Sequence, residues 1–356
     1  MNDTPKVETH LGKFSELSLS PTLISNLESL GYHSMTQVQA ESLPYILKGH
    51  DVIAQAKTGS GKTAAFGLGL LEGLNVKRFR VQSIVLCPTR ELADQVANEI
   101  RRLARSIHNI KVLTLCGGKP FGPQLGSLEH GAHIVVGTPG RIEEHIRKGS
   151  LSLDNVSMFI LDEADRMLEM GFQDALEKIA EALPSKKQTL LFSATFPKGI
   201  EKIAQRFLHN PIRVTVKDAH TQTTIKQLFY CVKSDQEKIE ALQLLLQKYQ
   251  PASTVVFCNT KVMTQFVADE LSRLGFSALA LNGDLEQKDR DQILMRFASK
   301  AISVLVATDV AARGLDIDGL DAVVNFELSR DPEIHVHRIG RTGRAGESGT
   351  AFSFYS

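Results

Sequence analysis

The chain has 356 residues, a length that suits two domains better than a single core. Its 41 Lys and Arg nearly cancel 40 Asp and Glu, so any nucleic-acid contact needs a local basic strip, not a general positive field. Neither a signal peptide nor an apolar run of bilayer length is present, which argues against a membrane partner and predicts a cytoplasmic protein.

Before the first strand stand Phe14, Tyr32 and Gln39. An amide can pair with an adenine edge and an aromatic ring can stack on it, although either ring serves equally well in a core. A β-type run, Asp51 to Gln55, then leads into Ala56-Lys57-Thr58-Gly59-Ser60-Gly61-Lys62-Thr63, and a helix-type run from Thr63 to Leu74 leads out. The glycines let backbone N–H groups curl around phosphate oxygens at a helix N-terminus, where the dipole favours negative charge. Lys62 is placed to reach the β- and γ-phosphates, and the Thr63 hydroxyl to coordinate Mg²⁺. Ala56 stands where the general G-x-x-x-x-G-K-T pattern begins with glycine. The loop does not recur downstream, so one nucleotide site is expected.

Short runs rich in Val, Ile and Leu alternate with amphipathic helical stretches, which predicts parallel sheets with helices on both faces. Ser83 to Cys87 precedes a helix over Glu91 to Arg105, and Met158 to Leu161 precedes one over Gln173 to Ala182. Ser193-Ala194-Thr195, after the strand Thr189–Phe192, reads as an N-cap pair for a helix starting near Pro197. Past Arg213 to Val216, the polar stretch Lys217 to Lys226 reads as a linker dividing 1–216 from 227–356. A second series of strands follows at Leu228–Val232, Thr254–Cys258, Ala278–Leu281, Ser303–Ala307 and Ala322–Phe326. Gly349 to Ser356 reads as a strand that simply stops, as though a further domain followed. Cys87, Cys116, Cys231 and Cys258 stand singly in apolar β-type runs, which predicts buried, reduced thiols and neither zinc nor disulfides.

In such sheets chemistry collects at the carboxyl ends of the strands, and every unusual cluster here falls there. Met158 to Leu161 runs straight into Asp162-Glu163-Ala164-Asp165. Beside a phosphate loop, Asp162 suits Mg²⁺ through its water shell, and Glu163 suits orienting or deprotonating the attacking water. His335, His337, Arg338, Arg341 and Arg344 fall in a glycine-punctuated segment whose guanidinium forks suit phosphate oxygens. With the phosphate loop in one half and these arginines in the other, the two domains must close on each other. Thr89 and Arg90, Gly117 and Gly118, Thr138 and Arg141, then Gly283, Gln287, Arg290 and Thr308 each mark a polar or glycine-rich turn at a strand end. Singly each is an ordinary βα turn; together they form a track that can grip a sugar-phosphate backbone without reading bases. Aromatics are only 6% of residues and Trp is absent, so a base-stacking platform is disfavoured.

These segments resemble the DEAD-box family of ATP-dependent RNA helicases over nearly the whole chain. The match runs through AKTGSGKT at Ala56–Thr63, PTRELA at Pro88–Ala93, TPGR at Thr138–Arg141, DEAD at Asp162–Asp165, SAT at Ser193–Thr195, ATDVAARGLD at Ala307–Asp316 and HRIGRTGR at His337–Arg344. The resemblance implies two tandem RecA-like parallel-sheet domains joined by a short linker, and a monomer that uses ATP and Mg²⁺ on RNA. It assigns Phe14 and Gln39 to adenine recognition; Gln37 stands where the family more often has proline, which predicts a looser turn there. Residues Ala56, Lys57, Thr58, Gly59, Ser60, Gly61, Lys62 and Thr63 fall to phosphates and metal, Asp162 and Glu163 to metal and water, and Asp316 to the ribose. Ser193 and Thr195 become the coupling pair, Arg341 and Arg344 the fingers, and His337 an interdomain contact near the γ-phosphate. The RNA track is Thr89, Arg90, Gly118, Thr138, Arg141, Gly283, Gln287, Arg290 and Thr308. The segments QAKTGSGKTAAFGLGLL and KVLTLCGGKPFGPQ are similar to a bacterial branch tied to large-ribosomal-subunit assembly, which implies ribosomal RNA as the partner of the full-length protein. Two activities stay open at this point: duplex unwinding by closure, and an ATP-gated RNA clamp with little unwinding.

Overall fold

The computed structural model describes residues 12–57, 59–216, 225–312, 319–343 and 349–355. It divides into two compact units, Met1–Lys217 and Asp218–Ser356. Thr58, Asp316 and Arg344, and linker positions 217–224, lie outside the described residues.

The first unit holds strands β1 (Val52–Gln55), β2 (Ser83–Leu86), β3 (Val112–Leu115), β4 (Ile134–Gly137), β5 (Met158–Leu161), β6 (Gln188–Ser193) and β7 (Ile212–Thr215). They form one sheet in the order β3-β4-β2-β5-β6-β1-β7, every neighbouring pair parallel. All residues of β2, β4 and β5 are buried, as befits strands covered on both faces. Alternate side chains feed two cores: Val85, Ile160 and Phe192 pack on one side, Ile84, Phe159 and Leu191 on the other.

The second unit holds β8 (Ile225–Cys231), β9 (Thr254–Cys258), β10 (Ala278–Leu281), β11 (Val304–Thr308), β12 (Ala322–Asn325) and β13 (Gly349–Tyr355). Their order is β10-β11-β9-β12-β13-β8, again all parallel, with Val256, Val306 and Val324 in one core and Val255, Leu305 and Val323 in the other.

Three local expectations change. The strand expected from Leu228 begins at Ile225, so Ile225 and Lys226, read as linker, pair with Gly349 and Thr350 of β13. Cys231 is exposed, whereas Cys87, Cys116 and Cys258 are buried as expected; β8 is the edge strand, and only its alternate positions face the core. A short helix, Ala164–Glu169, intervenes after the acidic segment, before the expected one at Gln173–Glu181.

Close approach fixes one glycine in β4. A Cβ on Gly137 would overlap the Leu115 carbonyl oxygen of neighbouring β3, which the sheet holds in place. Gly126, inside helix Phe121–Glu129, has open space around it. Gly137→Ala is therefore expected to destabilise the first unit by about 2–4 kcal/mol, and Gly126→Ala to stabilise it by up to about 1 kcal/mol, read as opposite shifts in urea midpoint.

Candidate functional site

Strands β5, β6 and β1 are neighbours, so the loops leaving their carboxyl ends meet although the loop after β1 lies far earlier in sequence than the other two. The Ala56 N–H donates to Ser193 O at 3.0 Å, continuing the ladder one step past β1. Helix Lys62–Glu72 starts at Gly61, whose φ of 93° is left-handed; a Cβ there would sit 2.6 Å from Gln39 Nε2. No side chain caps this helix and no acid occupies its first turn, so its N-terminal N–H groups and dipole face the loop. Lys62 is only 5% exposed, with Nζ donating to Ala56 O at 3.0 Å. Ser60 Oγ is buried without a hydrogen-bond partner among the described residues. An orphaned hydroxyl, a folded-in ammonium and an uncapped helix start are the features of a cradle suited to an anion.

Gln39 is buried and tied down. Its Oε1 accepts from Thr36 N at 2.8 Å, completing a capping box with Thr36, and its Nε2 donates to Gly61 O at 3.1 Å. The turn expected to be loose for want of proline is thus held by two side chains, while one N–H and one lone pair of the amide remain by count. Phe14 is 3% exposed and meets Tyr32 edge-on at 6.2 Å, so it belongs to the core on which this segment rests.

Asp162 follows β5, and its N–H still donates to Leu86 O of β2 at 2.9 Å. Its carboxyl is 2% exposed. Burial raises its pKa to about 6; Lys62 pulls it down and Glu163 pushes it up. Glu163 sits at φ 50°, ψ 52°, the left-handed region, and its N–H donates to Asp162 Oδ1 at 3.0 Å. That conformation is costly for a residue with a side chain, by about 1 kcal/mol. Asp165 Oδ2 accepts from both Thr195 N and Thr195 Oγ1 at 2.8 Å, while Ser193 Oγ accepts from Asp165 N and donates to Thr195 O. The Ser193–Thr195 pair is therefore not a helix cap, as local sequence suggested; the N-cap of helix Lys198–Phe207 is Pro197. Instead it clasps Asp165, a partner set by the β5–β6 pairing.

The track residues of the first unit gather at the ends of β3, β4 and β2, the other half of the same rim. Thr89 caps helix Arg90–Leu103, accepting from Leu92 N at 3.2 Å. Gly118 has φ 73°, and a Cβ on it would overlap the Arg90 guanidinium, so the two lie face to face. Thr138 Oγ1 accepts from Gly117 N at 3.3 Å, and Arg141 Nη1 donates to Lys119 O at 2.9 Å. Thr138 and Arg141 thus shape the glycine turn between them. In the second unit Arg290 bridges the end of β10, through Asn282 O at 3.4 Å, to the end of β11, through Ala311 O at 3.3 Å. Thr308 Oγ1 accepts from Ala311 N, Gln287 donates to Asp291, and Gly283 lies beside them on the loop from β10.

Among the arginines of the last cluster, Arg338 differs from Arg341. Arg338 is buried; Nε and Nη2 grip Asp309 at 2.7 Å each, Nη1 donates to Glu327 O and Asn325 Oδ1, and Nη2 to Asn259 Oδ1. Its guanidinium also lies over the Phe257 ring at 5.2 Å. Sequence reasoning gave this residue no separate role, because nothing local distinguishes it from its neighbours; its partners sit 11 to 79 positions away. Arg341 is half-buried, with its carbonyl accepting from Leu320 N at 3.1 Å, and His337 is half-buried on the preceding helix Pro332–Ile339.

Two stability consequences follow. Arg338→Met leaves Asp309 without its fork and is expected to cost the second unit about 3 kcal/mol in denaturant unfolding, with part recovered by adding Asp309→Asn. The raised pKa of Asp162 means that its neutral form favours folding, a contribution complete below the unfolded value of 3.8 and lost as pH rises through about 6. Asp162→Asn is thus expected to stabilise the ligand-free first unit by about 1–2 kcal/mol at pH 7.5, an increment that shrinks as pH falls through about 6.

Comparison with known proteins agrees with this geometry. Residues 36–203 match the DEAD/DEAH box helicase family and residues 237–346 the helicase conserved C-terminal domain. The ATP-dependent RNA helicase DbpA of Escherichia coli (strain K12) is 58% identical over 342 residues, covering 96% of this chain and 75% of that protein. The DEAD-box ATP-dependent RNA helicase CshA of Geobacillus kaustophilus is 44% identical over 341 residues, covering 96% and 73%. Among solved structures, S. cerevisiae Dbp5 bound to RNA and ADP BeF3 is similar with a TM-score of 0.87 at 31% identity, over 96% of this chain and 89% of that one. The chain belongs to the DEAD/DEAH box helicases: it is an RNA-dependent ATPase and ATP-dependent RNA helicase built on the two RecA-like units of that family.

Proposed function

We propose that ATP and RNA drive closure of the two units onto each other, that closure strains a bound duplex locally, and that hydrolysis releases it. Lys62 and the backbone of residues 56–61 hold the phosphates, Gln39 reads the adenine edge, and Glu163 orients the attacking water. Asp316 takes the ribose. Arg341 and Arg344 bring positive charge to the γ-phosphate and His337 lies beside them, so turnover waits for the second unit. Asp165 carries the state of the acidic segment to Ser193 and Thr195. Thr89, Arg90, Gly118, Thr138 and Arg141 in one unit, with Gly283, Gln287, Arg290 and Thr308 in the other, hold the RNA backbone.

Mg²⁺ fits this reading. Asp162 is buried, and a nearby positive charge favours its ionised form. Asp162 and Thr63 would hold the Mg²⁺ ion, which when bound would neutralise phosphate charge. The resemblance of QAKTGSGKTAAFGLGLL and KVLTLCGGKPFGPQ to the ribosome-assembly branch extends the proposal to ribosomal RNA as the natural target of a cytoplasmic monomer.

The observation that carries the closure reading is the division of charge. Lys62, Asp162 and Glu163 belong to the first unit and Arg341 to the second, which has no phosphate loop of its own. Because ATP and RNA both favour the closed state, each raises affinity for the other by the same factor. Arg341→Ala is expected to lower RNA-stimulated ATP turnover about 10³-fold while ATP binding to the open state persists, and to abolish displacement of a short duplex. Turnover indifferent to both RNA and this arginine would refute the reading.

A further inference from the structure

At the amino end of β2, opposite the rim that carries Thr89 and Arg90, stands Lys77-Arg78-Phe79-Arg80. All four residues are exposed, and Phe79 is 51% exposed. Nothing in the ATP or RNA machinery uses them. The turn is nonetheless rigidly built. Asn75 N donates to Gln82 Oε1 at 3.0 Å, Gln82 Nε2 donates back to Asn75 O and Arg78 O at 2.8 Å, and Lys77 N donates to Asn75 Oδ1 at 3.0 Å. His133 Nδ1 accepts from Lys111 N, so its Nε2 carries the proton and donates to Val76 O at 3.0 Å. The same imidazole lies 4.5 Å from the Phe79 ring and supports it. Gly131, at φ 75°, lets the turn come close: a Cβ there would lie 3.3 Å from Phe79 O.

Lys77, Arg78 and Arg80 make no side-chain hydrogen bond or ion pair among the described residues. Three unpaired cations in four positions are a local concentration in a chain of net charge +1. An aromatic ring fixed among them, with half its surface open, is a stacking surface for an unpaired base with phosphates on either side. The backbone of the turn is already hydrogen-bonded, so binding has chiefly side chains to order.

We propose that this turn is a second, sequence-independent RNA anchor, which takes single-stranded RNA flanking the segment held at the opposite rim. The proposal rests on the RNA-helicase activity of the chain but not on how closure works. A lipid surface or an acidic protein offers negative charge too, but neither gives the fixed ring a flat π-face.

The test compares a short single strand with the same strand carrying a long single-stranded extension, in the full chain. Replacing Lys77, Arg78 and Arg80 together by Ala is expected to raise the half-saturating concentration of extended RNA in the ATPase assay about tenfold. Maximal turnover and the response to short RNA stay unchanged, and the salt slope for extended RNA falls by about 2, as three fewer phosphate contacts require. Phe79→Trp places the chain's first tryptophan in the turn, where extended RNA quenches its fluorescence and short RNA does not. This readout needs no turnover, so it decides the anchor even if the closure reading fails. Equal responses to the two RNAs, or a triple variant that loses binding to phosphatidylserine vesicles while its RNA response is intact, would overturn the proposal.

Discussion

Parallel pairing is the constraint from which the rest of the molecule follows. A parallel strand must return by a crossover, so every strand delivers its carboxyl end to the same rim, and loops distant in sequence arrive side by side. In the first unit the order β5-β6-β1 places the phosphate loop, the acidic segment and Ser193–Thr195 together, and β3-β4-β2 places the turns at Thr89, Gly118 and Thr138 next to them. The register sets the fit: Gln55 opposite Ser193 aligns the strand ends, so that Ala56 N–H can extend the ladder. Between the two groups the rim is continuous: Asp162 N–H bonds to Leu86 O, carrying the β2–β5 ladder one step further.

Charge is buried in two different ways. Arg338 is stable because all its donors are used: a carboxylate fork, two amide oxygens and a carbonyl satisfy the guanidinium. Asp162 is the opposite case, a carboxyl that burial raises toward neutrality, with Lys62 only partly opposing the shift. Beside it Glu163 is held in a left-handed conformation. The first arrangement gives a rigid frame. The second holds an unfavourably buried carboxyl beside a strained backbone, which is the expected division between scaffold and site.

Much of this was legible in the chain itself. The apolar runs read as strands lie within about three positions of the observed ones, since strands covered on both faces must be apolar throughout, while β3 and β4 were given no bounds from sequence. The phosphate loop, the acidic segment and the arginine cluster pointed to the family through local spacing. What escaped was whatever depended on a distant partner. Ser193 and Thr195 look like caps because Ser and Thr usually are; only Asp165, 30 positions away and brought close by β5–β6 pairing, makes them a clasp. Arg338 and Arg341 are indistinguishable by type, and burial alone separates them. Cys231 reads as core until β8 is found at the sheet edge.

One helix shows how the two halves of the first unit are mechanically joined. Helix Arg90–Leu103 begins at the glycine turn, with Arg90 against Gly118. Its far half holds the segment that leads to Gln39: Tyr32 donates to Glu99 at 2.6 Å and accepts from Arg102 at 3.0 Å, and Asn26 donates to Leu103 O at 2.6 Å. Burial and the Glu99 carboxylate push the Tyr32 hydroxyl up to about 12, so it stays a donor at any working pH. Fourteen residues of helix span about 20 Å as one rigid body. A shift at Arg90 that left Tyr32 in place would have to break the helix or the buried bonds at its end, both costlier than moving together. The physical connection between the glycine turn at Gly118 and the segment that leads to Gln39 is therefore a strut, anchored by hydrogen bonds at one end and by the close approach of Arg90 to Gly118 at the other.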